Sequence, residues 1–410
     1  MAVERRTSRD IRSESRLDVM HALLSAEEAT RNELARSTGL SPATVATVVG
    51  DLLSEGIVTE SRLSAGRVGR PTASLRINAD RGRVVGIDVA ETYVRAIVFD
   101  AALDEVAAAE TPRDEHESSP EYVVEGIGRT FDAALARAGV DAADVLGVGV
   151  ALPGIVQRAS GVAVVVPHWS WRSVELDSLR DRIGVPLVLD NPLKAIATAE
   201  LWFGTGRGAD SMVTVNLGTG VGAGIVLEGR ILRGATNAAG EWGHSLLAVD
   251  GRRCRCGRSG CVEAYVGAPG IQQTLREIAP EHALCDLDLQ REFIQALARA
   301  SAADAPDPAV EETLATTARY LGSALADLVA VVNPERVTLT GWTTWAIGDR
   351  LLPLARARLV EEAPGVSAAG LSLEISTVRG NSVATGVAMI ALERFLGDVG
   401  LVTTRAAIAL

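Results

Sequence analysis

The chain has 410 residues, of which 47% are apolar and 4% aromatic, a composition typical of a globular protein with a sizeable core and two or three domains. A formal net charge of −12 argues against nonspecific nucleic-acid binding over the whole surface, but residues 1–80 hold 11 Arg and 11 acidic residues, so the acidic excess lies downstream. Because no apolar run reaches about 18 residues, we expect no membrane span and a cytoplasmic location.

Three short helices are the first predicted elements. Apolar residues at helical spacing predict a helix over about 13–26. Thr30 and Glu33 have the spacing of a capping box, which begins a second helix that should end at Gly39. The pair Ser41–Pro42 is typical of the N-cap and first turn of a third helix. The expected buried face of that helix consists of Val45, Val48, Val49 and Leu52.

Two short helices joined by a tight turn are typical of a helix-turn-helix, whose second helix enters the major groove of double-stranded DNA. The residues that this helix would present are Ser41, Ala43, Thr44 and Thr47. The alternating segment 57–78 predicts a two-stranded wing with Arg67 and Arg70 at its tip, where an arginine can enter a narrow minor groove. An ordinary helical pair with a polar linker is the alternative, and the GRVGRP stretch favours DNA binding.

Strand-like and helical stretches are mixed from Arg83 onward. VVGIDVAETYVRAIVFD predicts two strands in hairpin order, and further strand-like runs occur at VLGVGVALPG, VPLVLD, MVTVNLGTG and RVTLTG. Helical stretches separate several of them, as at 120–138 and 192–203. This mixture predicts α/β domains with partly parallel sheets.

Three of the four cysteines lie within the eight residues CRCGRSGC. His244 stands ten residues before Cys254, and Cys256 and Cys261 complete a C-x-C-x4-C pattern. One imidazole and three thiolates form the closed tetrahedral set that structural Zn²⁺ prefers. Such a set leaves a negative charge that the neighbouring arginines could balance, namely Arg252, Arg253, Arg255 and Arg258. Free thiols or a redox pair are the alternatives, and the matching histidine favours zinc.

Four features together resemble the ROK family, which contains sugar kinases and sugar-responsive transcriptional repressors on an actin-like, ribonuclease-H-like fold. They are the run LGTGVGAGIVLEGRILRG followed by AAGEWGH and CRCGRSGCVEA, the PG turn at 153–154, the strand pair at 86–100, and the winged helix in front, which the repressors have and the kinases lack. The resemblance implies a winged helix-turn-helix at 1–80, a first α/β lobe at 81–200 completed by a helix at 381–397, and a second α/β lobe with the zinc site at 201–380.

The resemblance also implies a carbohydrate effector pocket beside the zinc. In the family, the zinc-bound histidine binds a sugar hydroxyl together with the Glu of the GE pair and the Glu after the last Cys, which here are His244, Glu241 and Glu263. Two carboxylates that accept and one imidazole N–H that donates suit vicinal hydroxyls, since a hydroxyl is costly to bury unpaired. His168 could bind a further hydroxyl, and one of the two tryptophans that follow it could stack on a sugar face, although a buried tryptophan more often belongs to a core.

The chemistry of the ROK kinases is predicted to be missing. Those kinases place an Asp general base in an N-D-A-N-A-A-A-x-A-E run, and this chain has Pro192 at that position, which cannot accept a proton. The kinases' phosphate loop D-x-G-G-T is replaced here by DVAET, residues 88–92. The Cβ of Ala90 would obstruct a phosphate, and the carboxylate of Glu91 would repel it. Gly341 is followed by Trp342 where the family usually has paired glycines. We therefore expect no enzyme activity.

The sequence thus favours a repressor of carbohydrate-related genes. The family implies a homodimer or homotetramer, and two recognition helices on a two-fold axis would require a palindromic operator. Two alternatives stay open. One is an active sugar kinase that carries a DNA-binding domain, and the other is a regulator controlled by a protein partner instead of a sugar.

Overall fold

The computed structural model describes residues 8–62, 73–114, 116–157, 163–166, 169–303, 305–378 and 380–398. Three of the candidate site residues, Arg67, Arg70 and His168, lie outside these ranges. The chain divides into two compact units. The first comprises Met1–Val165, Ser173–Phe203 and Gly380–Leu410, and the second comprises Val166–Arg172 and Gly204–Arg379. The three-domain boundaries derived from the resemblance stay a prediction.

The helices, in chain order, are α1 (Ser8–Ala26), α2 (Arg31–Thr38), α3 (Pro42–Ser54), α4 (Pro120–Ala138), α5 (Asp177–Ile183), α6 (Pro192–Phe203), α7 (Glu263–Val266), α8 (Ala268–Ile278), α9 (Gln290–Ser301), α10 (Pro308–Val332), α11 (Trp342–Glu362), α12 (Gly365–Ala368) and α13 (Ser382–Asp398). The strands are β1 (Val58–Arg62), β2 (Ala73–Ile77), β3 (Arg83–Val89), β4 (Tyr93–Asp100), β5 (Glu105–Pro112), β6 (Val145–Ala151), β7 (Ile155–Gln157), β8 (Ala163–Val166), β9 (Trp171–Glu175), β10 (Leu187–Asp190), β11 (Met212–Leu217), β12 (Val221–Leu227), β13 (Arg230–Ile231), β14 (Arg336–Thr340) and β15 (Ser372–Ile375).

The start of the first unit has the element order of a winged helix, with three helices followed by the antiparallel pair β1 and β2. The Thr30 hydroxyl accepts from the Glu33 amide, and the Glu33 carboxylate accepts from the Thr30 amide at 2.8 Å, so the predicted capping box is present. Gly39 ends α2 at a φ of 70°, a conformation that favours glycine. Helix α1 begins at Ser8, five residues before the start that the apolar spacing predicted.

The winged helix and the α/β part of the first unit share one core. The predicted face of α3 is buried, with each of its four residues at most 2% exposed: Val45, Val48, Val49 and Leu52. The same buried cluster contains Trp202 of α6 together with Met389 and Leu392 of α13. The winged-helix segment therefore packs on α6 and α13.

The first unit contains a five-stranded sheet in the order β10-β6-β3-β4-β5. Strands β3, β4 and β5 pair antiparallel, whereas β6 and β10 run parallel to β3. Helix α13 lies directly on this sheet. A Cβ on Gly86 would stand 1.9 Å from the carbonyl oxygen of Ala384, and one on Gly149 would stand 2.0 Å from that of Val387. Glycine at both positions therefore permits the close packing of helix on sheet.

The second unit contains a sheet in the order β13-β12-β11-β14-β15. Its first three strands are antiparallel, and β14 and β15 run parallel to β11. Both sheets thus combine three antiparallel strands with two parallel ones in the same order. Helices α8 to α11 contribute most of the buried residues that cover this sheet. Within the described ranges, no helix is long and apolar enough to cross a membrane.

Candidate functional site

Four side chains of the second unit form a candidate metal centre: His244, Cys254, Cys256 and Cys261. Their ligand atoms all lie within 4.8 Å of one another. The distance from His244 Nδ1 to Cys254 Sγ is 3.7 Å, and the distance from Cys256 Sγ to Cys261 Sγ is also 3.7 Å. The group could therefore hold a metal ion, as the C-x-C-x4-C spacing predicted.

Tight turns bring the three cysteines to one place. The Cys254 amide donates to the carbonyl of Arg258 at 2.9 Å, and the Gly257 amide donates to the carbonyl of Cys254 at 3.0 Å. Gly260 has a φ of 81°, and a Cβ on it would lie 1.8 Å from the carbonyl oxygen of Ala248. The glycines of CRCGRSGC are therefore required by the backbone of the loop.

The three thiols stand in different electrostatic surroundings. Burial raises the pKa of Cys254 to about 12 and also raises the pKa of Cys261. Burial acts in the same direction on Cys256, but hydrogen bonds from Arg258, Cys254 and Cys261 together outweigh it and lower the pKa of that thiol. Arg258 also donates from Nη2 to the carbonyl of His244 at 2.8 Å. A cation therefore lies beside the sulfur atoms.

Glu263 connects the metal centre to the LGTG turn. Its Oε2 accepts from the amide of Val221 at 3.0 Å, and its Oε1 lies 3.6 Å from Cys254 Sγ. Arg255 Nε lies 3.8 Å from the same Oε1. The carboxylate is buried, so its contacts with an amide and a guanidinium offset the cost of removing it from water.

Glu241 stands directly before the 3-10 turn Trp242–His244. The His244 amide donates to the Glu241 carbonyl at 3.0 Å. The segment lies flat on β12, because a Cβ on Gly240 would stand 2.0 Å from the carbonyl oxygen of Ala223, and one on Gly243 would stand 1.9 Å from that of Val221. The glycines of AAGEWGH thus fix the backbone that carries Glu241 and His244.

The LGTG segment, residues 217–220, is a hairpin turn between β11 and β12. The Gly218 amide donates to the Gly220 carbonyl at 3.1 Å. The indole Nε1 of Trp342 lies 2.9 Å from the position that a Cβ would take on Gly218. The guanidinium of Arg291 lies 5.8 Å from the centroid of the same indole. A tryptophan side chain therefore packs directly on this turn.

Polar groups around the segment 88–92 of the first unit are bonded internally. Asp88 accepts from the Tyr93 hydroxyl at 3.0 Å and from Asn381 Nδ2 at 2.8 Å. Burial raises the pKa of this carboxyl, against the effect of the two hydrogen bonds. Arg113 Nη1 donates to the carbonyl of Ala90 at 2.5 Å. The protein's own side chains thus hold the loop.

Pro192 is the first residue of α6, where proline suits a helix because the first N–H has no intrahelical partner. The carboxylate of Asp190 is buried and accepts from the Asn191 amide at 2.8 Å. The Asn191 side chain donates to the carbonyl of Gly154 and accepts from the Leu193 amide at 2.8 Å. This segment therefore starts a helix in a firmly bonded conformation.

The candidate DNA-reading residues lie at the start of α3. The Ser41 hydroxyl accepts from the Thr44 amide at 3.1 Å and caps the helix. Ser41, Ala43 and Thr47 are exposed, and Thr44 is partly buried. The Thr47 hydroxyl donates to the carbonyl of Ala43 at 3.0 Å. The exposed side of the first two turns thus carries small side chains.

The structure adds Thr219, Gln273 and Arg276 to the residues that the sequence singled out near the metal centre. A cavity of about 460 Å³ lies beside the metal centre and is lined by Thr219, by arginines of the cysteine loop, and by Gln273 and Arg276 of α8. The sequence could have placed Gln273 and Arg276 on one face of a helix, because residues three apart on a helix share a face. The sequence did not show that the loop folds back against that helix.

Comparison with known proteins settles the family. Residues 84–388 match the ROK family. The chain belongs to the ROK family. Residues 12–59 match a winged helix-turn-helix DNA-binding family, in agreement with α1 to α3 of the structure. This ROK protein therefore combines the family's body with a DNA-binding domain.

Relatives of this ROK chain include a repressor and a kinase. It is 25% identical over 381 residues to the xylose repressor of Caldicellulosiruptor bescii, covering 92% of this chain and 95% of the repressor. It is 33% identical over 273 residues to the glucokinase of Halalkalibacterium halodurans, covering 65% of this chain and 82% of the glucokinase. The similarity to the repressor therefore extends over much more of this ROK chain.

The chain is also similar to a solved structure, a ROK family transcriptional regulator described as a homolog of the E. coli MLC protein. The TM-score is 0.74 and the sequence identity is 24%, and the match covers 96% of this chain and 99% of that one. This similarity shows the fold over nearly the whole chain. The predicted fold class is confirmed: an N-terminal winged helix-turn-helix is followed by a two-lobed, actin-like α/β ROK body.

Proposed function

We propose that this ROK protein is a transcriptional repressor of carbohydrate-related genes with a sugar effector and without kinase activity. The proposal is carried by the start of α3, whose side chains are mostly exposed. It is supported by the similarity to a xylose repressor over 92% of this chain. Small side chains at the start of a recognition helix can reach base edges in the major groove. The proposed base-reading residues are Ser41, Ala43, Thr44 and Thr47, with Arg67 and Arg70 of the wing in the minor groove.

The metal is proposed to be structural Zn²⁺. Sulfur atoms about 2.3 Å from a tetrahedral ion lie roughly 3.8 Å apart, and Cys256 Sγ and Cys261 Sγ are 3.7 Å apart. A nitrogen and a sulfur on the same ion would lie roughly 3.6 Å apart, and His244 Nδ1 and Cys254 Sγ are 3.7 Å apart. A set of three thiolates and one imidazole leaves no coordination position for water, so the ion would hold a loop and would not hydrolyse a substrate. Because Nδ1 of His244 faces Cys254, Nε2 is the ring nitrogen that remains for an effector.

The effector is proposed to be a carbohydrate bound by Glu241, His244 and Glu263, with His168 as a further hydrogen-bonding group. Glu263 already accepts an amide hydrogen from Val221 on one oxygen. A carboxylate oxygen has two lone pairs, so each oxygen can still accept from a sugar hydroxyl. The bonds that hold Glu263 therefore orient it for a ligand.

The structure favours a sensor over a kinase. Pro192 occupies the position of the general base, and Asp190 is already bonded to the Asn191 amide. In the second unit, Trp342 stands where the family usually has the second of two glycines, and its indole packs on Gly218 of the LGTG turn. Phosphoryl transfer depends on backbone amides and cations placed around the phosphates. We therefore propose that the protein is not an enzyme.

The assembly is proposed to be a homodimer or homotetramer, because two recognition helices related by a two-fold axis read a palindromic operator. Selection of bound fragments from a random pool of double-stranded DNA, with and without added carbohydrates, tests the proposal. An enriched palindrome whose binding changes with one sugar supports it. A pool that stays random contradicts it.

A further inference from the structure

The cavity beside the metal centre is unusually basic. Four arginines and one glutamate are among its lining residues. They come from the cysteine loop, from the start of α7 and from α8, so the cavity is formed by the folding of the loop against two helices. Its volume of about 460 Å³ lies within the range of small-molecule sites.

One of the four arginines has a structural role. Arg252 donates from Nε to Glu277 at 3.1 Å and from Nη1 to the hydroxyl of Thr274 at 3.1 Å. Its guanidinium also lies 4.7 Å from the ring centroid of Tyr265. Its charge is therefore offset inside the protein.

The other three arginines line the cavity from exposed positions. Arg255 lies 3.8 Å from Glu263. Arg276 donates to the carbonyl of Cys285 at 2.7 Å, which is a neutral acceptor. Within the described ranges, neither Arg253 nor Arg276 forms an ion pair with a carboxylate. Once Glu263 offsets one guanidinium, two positive charges remain.

A different arginine bonds directly to the metal centre. Arg258, which does not line the cavity, is the arginine that bonds Cys256 and the carbonyl of His244. The cavity is also lined by one of the proposed effector residues, Glu263. A Cβ on Gly220 would stand 3.4 Å from Glu263 Oε2 and 3.7 Å from Arg255 Nη2, so both groups border the LGTG turn.

We propose that this cavity binds the phosphate group of a phosphorylated sugar effector. This inference rests on the proposed function, because it names the class of carbohydrate that the sensor detects. A dianionic phosphate ester matches the surplus of two charges, and the planar guanidinium forms paired hydrogen bonds with phosphate oxygens. The sugar hydroxyls then reach Glu263 while the phosphate lies among Arg253, Arg255 and Arg276.

Calorimetric titration of the full chain tests this inference, with hexose 6-phosphates, the matching free hexoses, the matching hexuronates and inorganic phosphate as ligands. At least one phosphate ester should bind about tenfold or more tightly than its free hexose and than inorganic phosphate. Arg276→Gln removes the charge and keeps most of the aliphatic stem of this exposed residue, so it should weaken that ester about tenfold and leave the melting temperature nearly unchanged. Arg253→Gln should act in the same direction, whereas Arg299→Gln, an exposed arginine of α9 outside the cavity, should not.

Three results would overturn the inference: a free hexose that binds as tightly as its phosphate ester, a hexuronate that binds more tightly, or an Arg276→Gln protein that binds the ester like wild type. A free hexose that changes operator affinity, while its phosphate ester does not, would reject the phosphate site and leave the proposed sensor intact. If no carbohydrate binds and operator selection still succeeds, both the phosphate site and the sugar effector are rejected.

Discussion

The imidazole of His21 packs edge-on against the indole of Trp202, with the ring centroids 3.7 Å apart. His21 lies in α1 of the winged helix, and Trp202 lies near the end of α6. Helix α6 begins at Pro192, so a single helix connects the loop after β10 with the DNA-binding segment of the same unit. We therefore expect this contact to hold the winged helix on its body.

Trp202→Ala should destabilise the protein by about 3–5 kcal/mol, because it removes a large side chain that is 6% exposed and leaves a cavity. Thermal unfolding followed by circular dichroism measures the change. The matched control is Trp345→Ala on α11, where the side chain is 52% exposed and the loss should stay within about 0.5 kcal/mol. If the two variants lose the same free energy of unfolding, the Trp202 contact does not stabilise the protein more than an exposed tryptophan does.

His21 should make stability depend on pH. Burial lowers its pKa to about 3, from 6.5 in an ordinary histidine. Below pH 6.5 the unfolded chain therefore binds a proton that the folded chain does not, so the stabilising contribution is complete above pH 6.5 and is lost as pH falls toward 3. Relative to His21→Phe, the free energy of unfolding in urea should fall by about 1.4 kcal/mol per pH unit below 6.5.

The control for this pH dependence is His116→Gln, since His116 is exposed. This variant should keep the wild-type slope between pH 5 and pH 6.5. The assignment to His21 fails if His21→Phe shows that same slope.

The metal centre should contain one zinc per chain, measured by elemental analysis of the purified protein. Cys254→Ser and Cys256→Ser should lose the metal and a large part of the stability, because a bound structural ion contributes directly to folding. Cys285→Ser removes a buried thiol outside the centre and should keep the full metal content. Full stability of both loop variants without metal would remove the structural role of the ion.

The protein should not phosphorylate sugars. A coupled assay of ATP consumption with hexoses and amino sugars should give no rate above a protein-free blank, because Pro192 cannot take the proton of an attacking hydroxyl. Restoring a carboxylate with Pro192→Asp should also be insufficient, since Trp342 still packs on the LGTG turn. Sugar-dependent ATP consumption by the wild type would contradict the sensor role.

Local chemistry explains what the sequence predicted well. The capping box at Thr30, the Ser41 cap and the apolar face of α3 depend on residues a few positions apart, and the structure has all three. The four metal ligands lie within 18 residues of one another, and the turns between them are set by glycine. The hairpin of β3 and β4 likewise follows from adjacent apolar segments.

Other elements could not be predicted because their signals are weak or depend on distant residues. Strand β5 has the sequence EVAAAETP, and its alanines and glutamates have little preference for a sheet until β4 pairs with them. The contact of His21 with Trp202, and the packing of α13 on Gly86, join positions far apart in the chain. The basic cavity depends on how the cysteine loop meets α8, which no spacing rule encodes.

The proposed function depends on sequence-specific reading of an operator by α3. Fluorescence anisotropy with the selected operator and with random-sequence DNA, at about 150 mM salt, measures this specificity. We predict that the wild type binds the operator about 10³-fold or more tightly than random DNA. Thr47→Glu should abolish this preference, whereas Ala303→Glu, the same change in charge at an exposed site of the second unit, should preserve it. Equal affinity of the wild type for operator and random DNA, or full operator binding by Thr47→Glu, would contradict the claim.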